Sequence, residues 1–167
     1  MKCSCGRKAV FFRKYEGRHL CKLCFLQSIE KRFRKTVGKY KLVRGGDKIV
    51  VALSGGKDST TALYLMHGIT KDRRDVELSA MIVDEGVLNF RKQCIKVARR
   101  FCRKLGVKLH EFSYRKFYGK TMNQVMKNKN KADACEYCAV ARRLLLNKEA
   151  RKLKATKICM VKPRVLS

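Results

Sequence analysis

The sequence predicts an α/β fold in which a parallel sheet with flanking helices is preceded by a small N-terminal zinc ribbon. Two observations predict it. Apolar runs suited to buried strands alternate with helical patterns from residue 46 onward, and strands joined by crossover helices pair in parallel. Ahead of them, residues 1–26 carry two close cysteine pairs, an arrangement typical of structural zinc sites. We expect a zinc ribbon over 1–26, a basic linker helix over 27–45 and a Rossmann-like α/β domain over 46–167.

The composition is strongly basic, with 42 Lys and Arg residues against 13 Asp and Glu residues and a net charge of +29. A field of this size favours a polyanion partner, and nucleic acid is the usual one. A solubilising basic surface and a ribosome-bound protein are alternative interpretations. No stretch approaches the apolar length of a membrane span, and no signal peptide or lipidation motif is recognisable. We therefore expect a cytoplasmic protein with no membrane partner.

The N-terminal segment carries the ligands for one zinc ion. Cys3 and Cys5 form the first pair, and Cys21 and Cys24 follow after fifteen residues. Four thiolates at this spacing can converge on a tetrahedral Zn²⁺. Only one residue separates the first pair, so His19 is an alternative ligand, and four reduced thiols are the alternative to a metal site. Four protein ligands leave no position open for catalysis, so we expect a structural role.

A helical pattern follows from Phe25 to about Tyr40, with an apolar stripe surrounded by lysines and arginines. A basic amphipathic helix beside a zinc ribbon suits an RNA-facing arm. A solvated linker helix is the alternative. Gly45 and Gly46 mark the turn into the first strand, so the domain boundary is expected near residue 45.

A glycine-rich turn connects the apolar run 49–53 to a helical segment that begins at Thr60. The turn consists of Ser54, Gly55, Gly56, Lys57, Asp58 and Ser59. Backbone N–H groups at a helix N-terminus attract phosphate, the glycines let a ligand approach closely, and Lys57 adds a full charge. The turn is not a Walker A loop, because Val51 stands where that motif needs its first glycine. We expect a phosphate site here, with an ordinary strand-to-helix turn as the alternative.

The later elements continue the alternation. Strands are expected over 76–83, 107–112 and 155–161, helices over 89–105 and 135–153, and a polar, mobile stretch between 113 and 132. Asn89 is expected to cap the first of these helices. Cys94 and Cys102 fall on or beside an apolar stripe that includes Val97, so both cysteines are expected in the core.

Further candidate ligands follow the second strand. Parallel sheets bind their ligands at the carboxyl ends of the strands, and Asp84 and Glu85 stand at that end. Their carboxylates are suited to Mg²⁺ or to a ribose, and a surface turn is the alternative. The backbone of Met81 and Ile82, one strand away from the phosphate turn, is expected to meet an adenine ring.

A later cysteine pair, Cys135 and Cys138, opens a predicted helix whose next turns carry Arg142 and Arg143. A thiolate near cations at a helix start has a lowered pKa and is a better nucleophile or metal ligand. A redox dithiol, half of a second zinc site and two ligands of an iron–sulfur cluster all fit the spacing, and an inert pair is the fourth possibility.

Taken in order, these motifs resemble the PP-loop ATP pyrophosphatases, and within them the tRNA 2-thiolation group of archaeal and eukaryotic cytosolic thiouridylases and two-thiouridine synthetases. The resemblance is carried by the four N-terminal cysteines, S-G-G-K-D-S at 54–59, V-D-E-G at 83–86, C-E-Y-C-A-V-A-R-R at 135–143 and L-L-N-K-E-A-R-K-L-K-A-T-K at 145–157. It covers about residues 1–158, and the ordered combination is more specific than any single motif.

The resemblance implies a reaction of two steps. The C2 oxygen of a tRNA uridine attacks the α-phosphate of ATP, with Mg²⁺ positioned by Asp58; sulfide then attacks C2, and AMP leaves. It also implies that Cys135, Cys138 and a third, later cysteine bind a [4Fe-4S] cluster that carries the sulfur. Arg142 stands near the family's catalytic basic residue. A ubiquitin-like sulfur carrier protein and a homodimer are further implied partners.

The sequence departs from the family pattern after residue 158. Relatives continue with a G-H-N-x-x-D-D segment, a third cluster cysteine and more helices, whereas here Cys159 is the only candidate for a third cluster ligand. We therefore expect a truncated domain or half of a split enzyme, with the last strand as an exposed sheet edge. The alternatives to a thiolase are a catalytically incomplete zinc-ribbon tRNA-binding protein and another adenylating tRNA modifier, such as a lysidine-synthase-like ligase.

Overall fold

The structure is a computed structural model that describes residues 1–87, 90–126 and 131–161, without the side chains of residues 90, 126 and 131–135. The chain divides into two compact units, Met1–Arg44 and a second unit that begins at Gly45. Asn89, the predicted helix cap, lies outside the described residues. None of the helices in the described part of the chain has the length and apolar character that a bilayer crossing requires.

The first unit consists of a short hairpin and one long helix. Strands β1 (Phe11–Arg13) and β2 (Arg18–Leu20) pair antiparallel, and helix α1 runs over Lys22–Lys39. The helix begins three residues earlier than predicted, because the Cys21 sulfur accepts the Cys24 N–H and caps it. Against the hairpin, α1 packs Phe25 on Phe11, with ring centroids 4.6 Å apart.

In its described residues, the second unit is built on a parallel sheet of four strands. These are β3 (Lys48–Leu53), β4 (Glu77–Asp84), β5 (Lys108–Ser113) and β6 (Lys157–Cys159), in the order β5-β4-β3-β6. The predicted parallel sheet with flanking helices is therefore confirmed. Leu53 lies opposite Ile82, so the chain leaves β3 and β4 at the same edge. Among the described residues, β6 lies at the edge of the sheet, as predicted, although it is shorter than expected.

The described part of this unit contains five helices. They are α2 (Lys57–Thr70), α3 (Phe90–Leu105), α4 (Tyr114–Tyr118), α5 (Met122–Met126) and α6 (Lys131–Lys152). Two short helices that the sequence did not predict, α4 and α5, occupy much of the polar stretch before α6, and its mobility stays a prediction. Tyr114 and Met122 are each only 2% exposed and belong to the main core, so two buried side chains decide the structure of a segment whose neighbours are polar.

Helix α3 buries a different face from the one predicted. Val97 is exposed, whereas Arg91, Ile95 and Ala98 are buried together with the two cysteines, Cys94 and Cys102. The core positions of the two cysteines are thus confirmed. The prediction for Val97 is wrong because the buried stripe of α3 includes a charged residue, Arg91, which an apolar count leaves out.

Candidate functional site

The phosphate turn is held closed by its two serines. The Ser54 N–H donates to the Ser59 hydroxyl at 3.1 Å, and the two hydroxyl oxygens lie 3.0 Å apart. The Ser59 hydroxyl in turn donates to the Gly56 carbonyl at 3.0 Å. Ser59 is 3% exposed, so it shapes the turn from beneath, whereas Lys57 and Asp58 are exposed at the start of α2.

The two glycines of this turn have different tasks. Gly55 has a φ of +83°, and a Cβ at this position would come within 2.5 Å of the Cys94 Cβ, so only glycine fits. Gly56 has no side chain to cap α2. Because the first turn of a helix has N–H groups without intrahelical acceptors, this end of α2 is suited to an anion.

The predicted adenine and carboxylate positions lie one strand away. Met81 and Ile82 are buried in β4, where they pair with Ala52 and Leu53 of β3. Asp84 ends the strand, and one of its carboxylate oxygens accepts the Gly86 N–H at 2.9 Å. The roles of these residues toward a nucleotide or Mg²⁺ stay predictions.

Glu85 has a role that the sequence did not reveal. Its side chain is 3% exposed, and its two oxygens contact two arginines: Arg91 Nε at 2.6 Å and Arg142 Nε at 2.7 Å. A carboxylate enclosed in this way is not available to Mg²⁺ or ribose, so that expectation is wrong for Glu85. Among 42 basic residues, no sequence signal distinguishes Arg91 as the partner.

Arg91 links Glu85 to the phosphate turn. The arginine is 6% exposed, and it donates to the Ser54 carbonyl at 2.8 Å and to the Val83 carbonyl at 2.7 Å. It therefore joins the end of β4 to Ser54, the first residue of the turn after β3.

Arg142 connects the Glu85 carboxylate to Cys138 of the Cys135/Cys138 pair. Its guanidinium lies 3.4 Å from the Cys138 sulfur, and Tyr114 donates its hydroxyl to the Cys138 carbonyl at 2.9 Å. Burial lowers the pKa of Arg142, but the negative charges of Glu85 and of the Cys138 thiolate raise it more strongly, so its pKa lies above the usual value. Arg142 therefore carries its positive charge next to the Cys138 sulfur.

The other two predicted cluster ligands are less defined. Cys135 lies within α6, but its side chain is outside the described residues. Cys159 ends β6 beside Val51, and burial raises the pKa of its thiol. Among the described residues, no group of three or more metal-ligating side chains includes Cys138 or Cys159.

A small cavity joins these groups. It has a volume of about 80 Å³ and lies between the phosphate turn and α6. Ser54, Arg91 and Arg142 supply polar groups, and its other walls are Ala52, Leu53, Val83, Leu146, Met160 and Val161. The phosphate turn and the arginine beside Cys138 thus face one space.

The four N-terminal cysteines converge in the first unit. Their sulfurs all lie within 4.8 Å of one another, and the group includes no histidine; His19 instead stacks on Phe12 at 4.5 Å. Hydrogen bonds from the backbone of Cys5 and Cys21 lower the pKa of Cys3 to about 6.

The charge balance of this group fits a divalent cation. The neighbouring cysteines, Cys5 first, raise the pKa of Cys24 to about 12, because four thiolates at this distance repel one another. Zn²⁺ removes that repulsion and takes four such ligands in tetrahedral geometry. The donor set therefore fits a structural zinc ion.

Two protein families match the chain. The PP-loop domain matches residues 25–155, and the family described as 2-thiouridine synthetase TtuA, N-terminal LIM domain, matches residues 2–26. The two matches together span the phosphate turn, the Cys135/Cys138 pair and the N-terminal cysteine cluster.

Several named proteins are similar over most of the chain. A probable sulfurtransferase of Methanocaldococcus jannaschii is 38% identical over 157 residues, which are 91% of this chain and 46% of that protein. The cytoplasmic tRNA 2-thiolation protein 1 of Anopheles gambiae is 34% identical and covers 89% of this chain and 44% of that protein. The chain thus spans about half the length of these relatives.

Solved structures share the fold. The U34-tRNA thiolase NcsA from Methanococcus maripaludis, solved with its [4Fe-4S] cluster, has a TM-score of 0.84 and 28% identity over 96% of this chain and 52% of that chain. An NH3-dependent NAD synthetase from Campylobacter jejuni, 19% identical with a TM-score of 0.57 over 79% of this chain and 54% of that chain, shares the fold alone.

Proposed function

The chain belongs to the PP-loop domain family, and from that membership we propose that it acts as an ATP-dependent tRNA-uridine 2-sulfurtransferase. One observation carries the proposal: Arg142 contacts the Cys138 sulfur and lines the same cavity as Ser54 of the phosphate turn. A phosphate bound at the turn would then lie close to the same cation, Arg142, as the Cys138 sulfur. The relatives named as a sulfurtransferase and as a tRNA 2-thiolation protein support the same activity.

The phosphate turn binds ATP in this proposal. The binding residues are Ser54, Gly55, Gly56, Lys57, Asp58 and Ser59, with Met81 and Ile82 toward the adenine and Asp84 toward the ribose or Mg²⁺. The N–H groups at the start of α2 and the Lys57 ammonium attract the phosphates. Asp58, exposed in the first turn of α2, positions Mg²⁺.

The reaction begins when the C2 oxygen of the uridine attacks the α-phosphate of ATP. The P–O bond to pyrophosphate breaks, and pyrophosphate leaves with the electron pair. Lys57 and Arg142 stabilise the negative charge that develops on the phosphates. A sulfide nucleophile then forms a bond to C2, and the C2–O bond breaks to release AMP, which leaves 2-thiouridine.

Cys135 and Cys138 would hold a [4Fe-4S] cluster in this proposal, with Cys159 as a further candidate ligand. When bound, the cluster supplies a sulfur atom near C2. Cys138 fits this task because the residue is partly exposed and its sulfur lies 3.4 Å from the Arg142 guanidinium. Cys3, Cys5, Cys21 and Cys24 hold zinc and take no part in the chemistry.

The charge of the chain supports tRNA as the substrate. The net charge of +29 supports binding of tRNA, whose phosphates attract a basic surface. A ubiquitin-like sulfur carrier as donor, a homodimer and a cytoplasmic location complete the proposal.

The test uses anaerobically reconstituted protein with unmodified tRNA, ATP, Mg²⁺ and sulfide. Mass spectrometry of the tRNA nucleosides should detect 2-thiouridine only when ATP is present. The double variant Cys135→Ala/Cys138→Ala should lose the product and keep ATP binding, whereas Cys102→Ala, a core change on α3, should keep both. Persistence of 2-thiouridine in the double variant would refute the assigned role of the pair.

The charge also favours a second candidate, a tRNA-binding subunit without its own turnover. Binding would then weaken steeply with salt concentration, and no pyrophosphate would be released from ATP. Pyrophosphate release in the presence of tRNA therefore separates this candidate from the thiolase.

A further inference from the structure

Three side chains, linked by ion pairs, connect the phosphate turn to α6, the helix that carries Cys138. Arg91 contacts the turn, Glu85 lies between the two arginines, and Arg142 reaches the Cys138 sulfur. We propose that Glu85, supported by Arg91, is a positioning residue that fixes the guanidinium of Arg142 between the phosphate turn and Cys138. This inference rests on the proposed function, because Arg142 is the residue that would act on the phosphates.

Glu85 is itself held in place by the backbone. The Met122 N–H donates to the Glu85 carbonyl at 2.7 Å, so the start of α5 fixes the residue. The next residue, Gly86, has a φ of +73°, and a Cβ there would come within 2.7 Å of Thr121. The chain can turn here only with glycine, and the turn directs the Glu85 carboxylate into the buried region between α3 and α6.

Arg91 ties this carboxylate to the phosphate turn. Besides its ion pair with Glu85, it donates to the carbonyls of Val83 and Ser54. A lysine could keep the charge but has no planar fork with which to reach a carboxylate and two carbonyls together. The position of the Ser54 carbonyl is thereby linked to the position of Glu85.

Of the three side chains, Arg142 is the one that could move if Glu85 were replaced. Its side chain is 43% exposed, although its Nε is buried. Neither that Nε nor the Glu85 Oε1 has a hydrogen-bond partner among the described residues, so the 2.7 Å ion pair compensates both. Without the carboxylate, Arg91 and Arg142 would repel each other, and the exposed end of Arg142 would turn toward solvent.

The direct test of positioning is NMR of the arginine side chains. In ¹⁵N-labelled protein, the Nε–H signals of Arg91 and Arg142 are assigned by their loss in Arg91→Lys and Arg142→Lys. Glu85→Gln should remove the Arg142 signal through exchange with water. Glu149→Gln is the matched control, because Glu149 is also buried and pairs with Lys152 at 2.7 Å, outside this chain of ion pairs; it should leave the Arg142 signal unchanged. An unchanged Arg142 signal in Glu85→Gln overturns the proposal.

Steady-state kinetics provide the second measurement. A positioning role predicts that Glu85→Gln lowers kcat for 2-thiouridine formation on the order of 10- to 100-fold, while KM for ATP stays within about twofold. In the Glu85→Gln background, Arg142→Lys should have little further effect, because the two side chains act as one unit. If Glu85→Gln loses both ATP binding and thermal stability, or if the two substitutions have additive effects on kcat, the residues have separate structural roles and the proposal is overturned.

The two measurements separate this inference from the proposed function. If the wild-type protein forms no 2-thiouridine but Glu85→Gln still removes the Arg142 signal, the positioning geometry stands and the thiolase proposal fails. If Glu85→Gln does not fold, Glu85→Asp provides the same measurement with the charge retained. Its carboxylate is one methylene shorter, so weakening of the Arg142 signal supports the proposal and full retention overturns it.

Discussion

Gly55 of the phosphate turn packs directly on Cys94 of α3, and a methyl group on Gly55 would lie 2.5 Å from the Cys94 Cβ and 2.7 Å from its Cα. Gly55 also has a φ of +83°, which costs energy for any residue with a Cβ. We expect Gly55→Ala to lower the free energy of unfolding of the second unit by about 2–4 kcal/mol, from backbone strain and overpacking together. Urea denaturation measures the change.

The neighbouring glycine is the control for this prediction. Gly56 has a negative φ of −87°, and a Cβ there would approach only the Ser54 hydroxyl, at 3.4 Å. Gly56→Ala should therefore be much less destabilising. Cys94→Ala should not rescue Gly55→Ala, since the atoms that clash are the Cβ and backbone of Cys94, which alanine retains. Rescue by that substitution would contradict the packing argument.

Zinc removal should unfold the first unit and leave the second folded. The buried residues of the first unit's core are Cys3, Leu20 and Cys21, so two of its three members are predicted zinc ligands. We expect one zinc ion per chain, and we expect Cys21→Ser to lose it, because a structural zinc site supplies much of the folding free energy of a small domain. Metal analysis and limited trypsin digestion measure both effects.

The control for the zinc prediction is a cysteine outside the cluster. Cys102→Ala should retain the zinc ion, and its first 44 residues should resist trypsin as in the wild type. A Cys21→Ser protein that keeps both its zinc and its resistance to trypsin would show that the four-cysteine cluster is not the metal site.

The fold was predictable from the sequence because its signals are local. The apolar run that became β3 is buried at four of its six positions, and it leads into Gly55, whose φ of +83° favours glycine over any residue with a Cβ. The misassigned segment before α6 had no such signal. Tyr114 is buried in the main core, and its hydroxyl donates to the Cys138 carbonyl, a partner 24 residues away that the local sequence does not indicate.

The candidate site was predictable only where its residues are contiguous. The phosphate turn and the three cysteine pairs are short motifs, so their spacing indicated them as candidates. The chain Arg91–Glu85–Arg142 joins residues from the end of β4, from α3 and from α6, and each pairing depends on the packing of those elements. Glu85 looked like a free carboxylate, because nothing in its local sequence shows that two arginines enclose it.

Loss of the Tyr114 hydroxyl should weaken the contact between α4 and α6. Tyr114 is 2% exposed and donates to the Cys138 carbonyl at 2.9 Å. Tyr114→Phe should lower the free energy of unfolding by about 1 kcal/mol, since a buried hydrogen bond is lost. Tyr118→Phe is the matched control, because its hydroxyl also bonds a carbonyl of α6, that of Ala141 at 2.8 Å, but from a partly exposed position. An equal or larger loss in Tyr118→Phe would contradict the argument from burial.

Cys102 should make the second unit less stable in alkaline solution. Burial raises the pKa of its thiol to about 11, whereas a cysteine in an unfolded chain has a pKa of about 8.5. Below the lower value the thiol is protonated in both states and its contribution is fully present. Between the two values the unfolded chain releases the proton first, so stability falls by up to about 1.4 kcal/mol per pH unit. Urea denaturation under reducing conditions should show a steeper decline for the wild type than for Cys102→Ala; parallel declines would mean that the Cys102 thiol ionises equally well in both states.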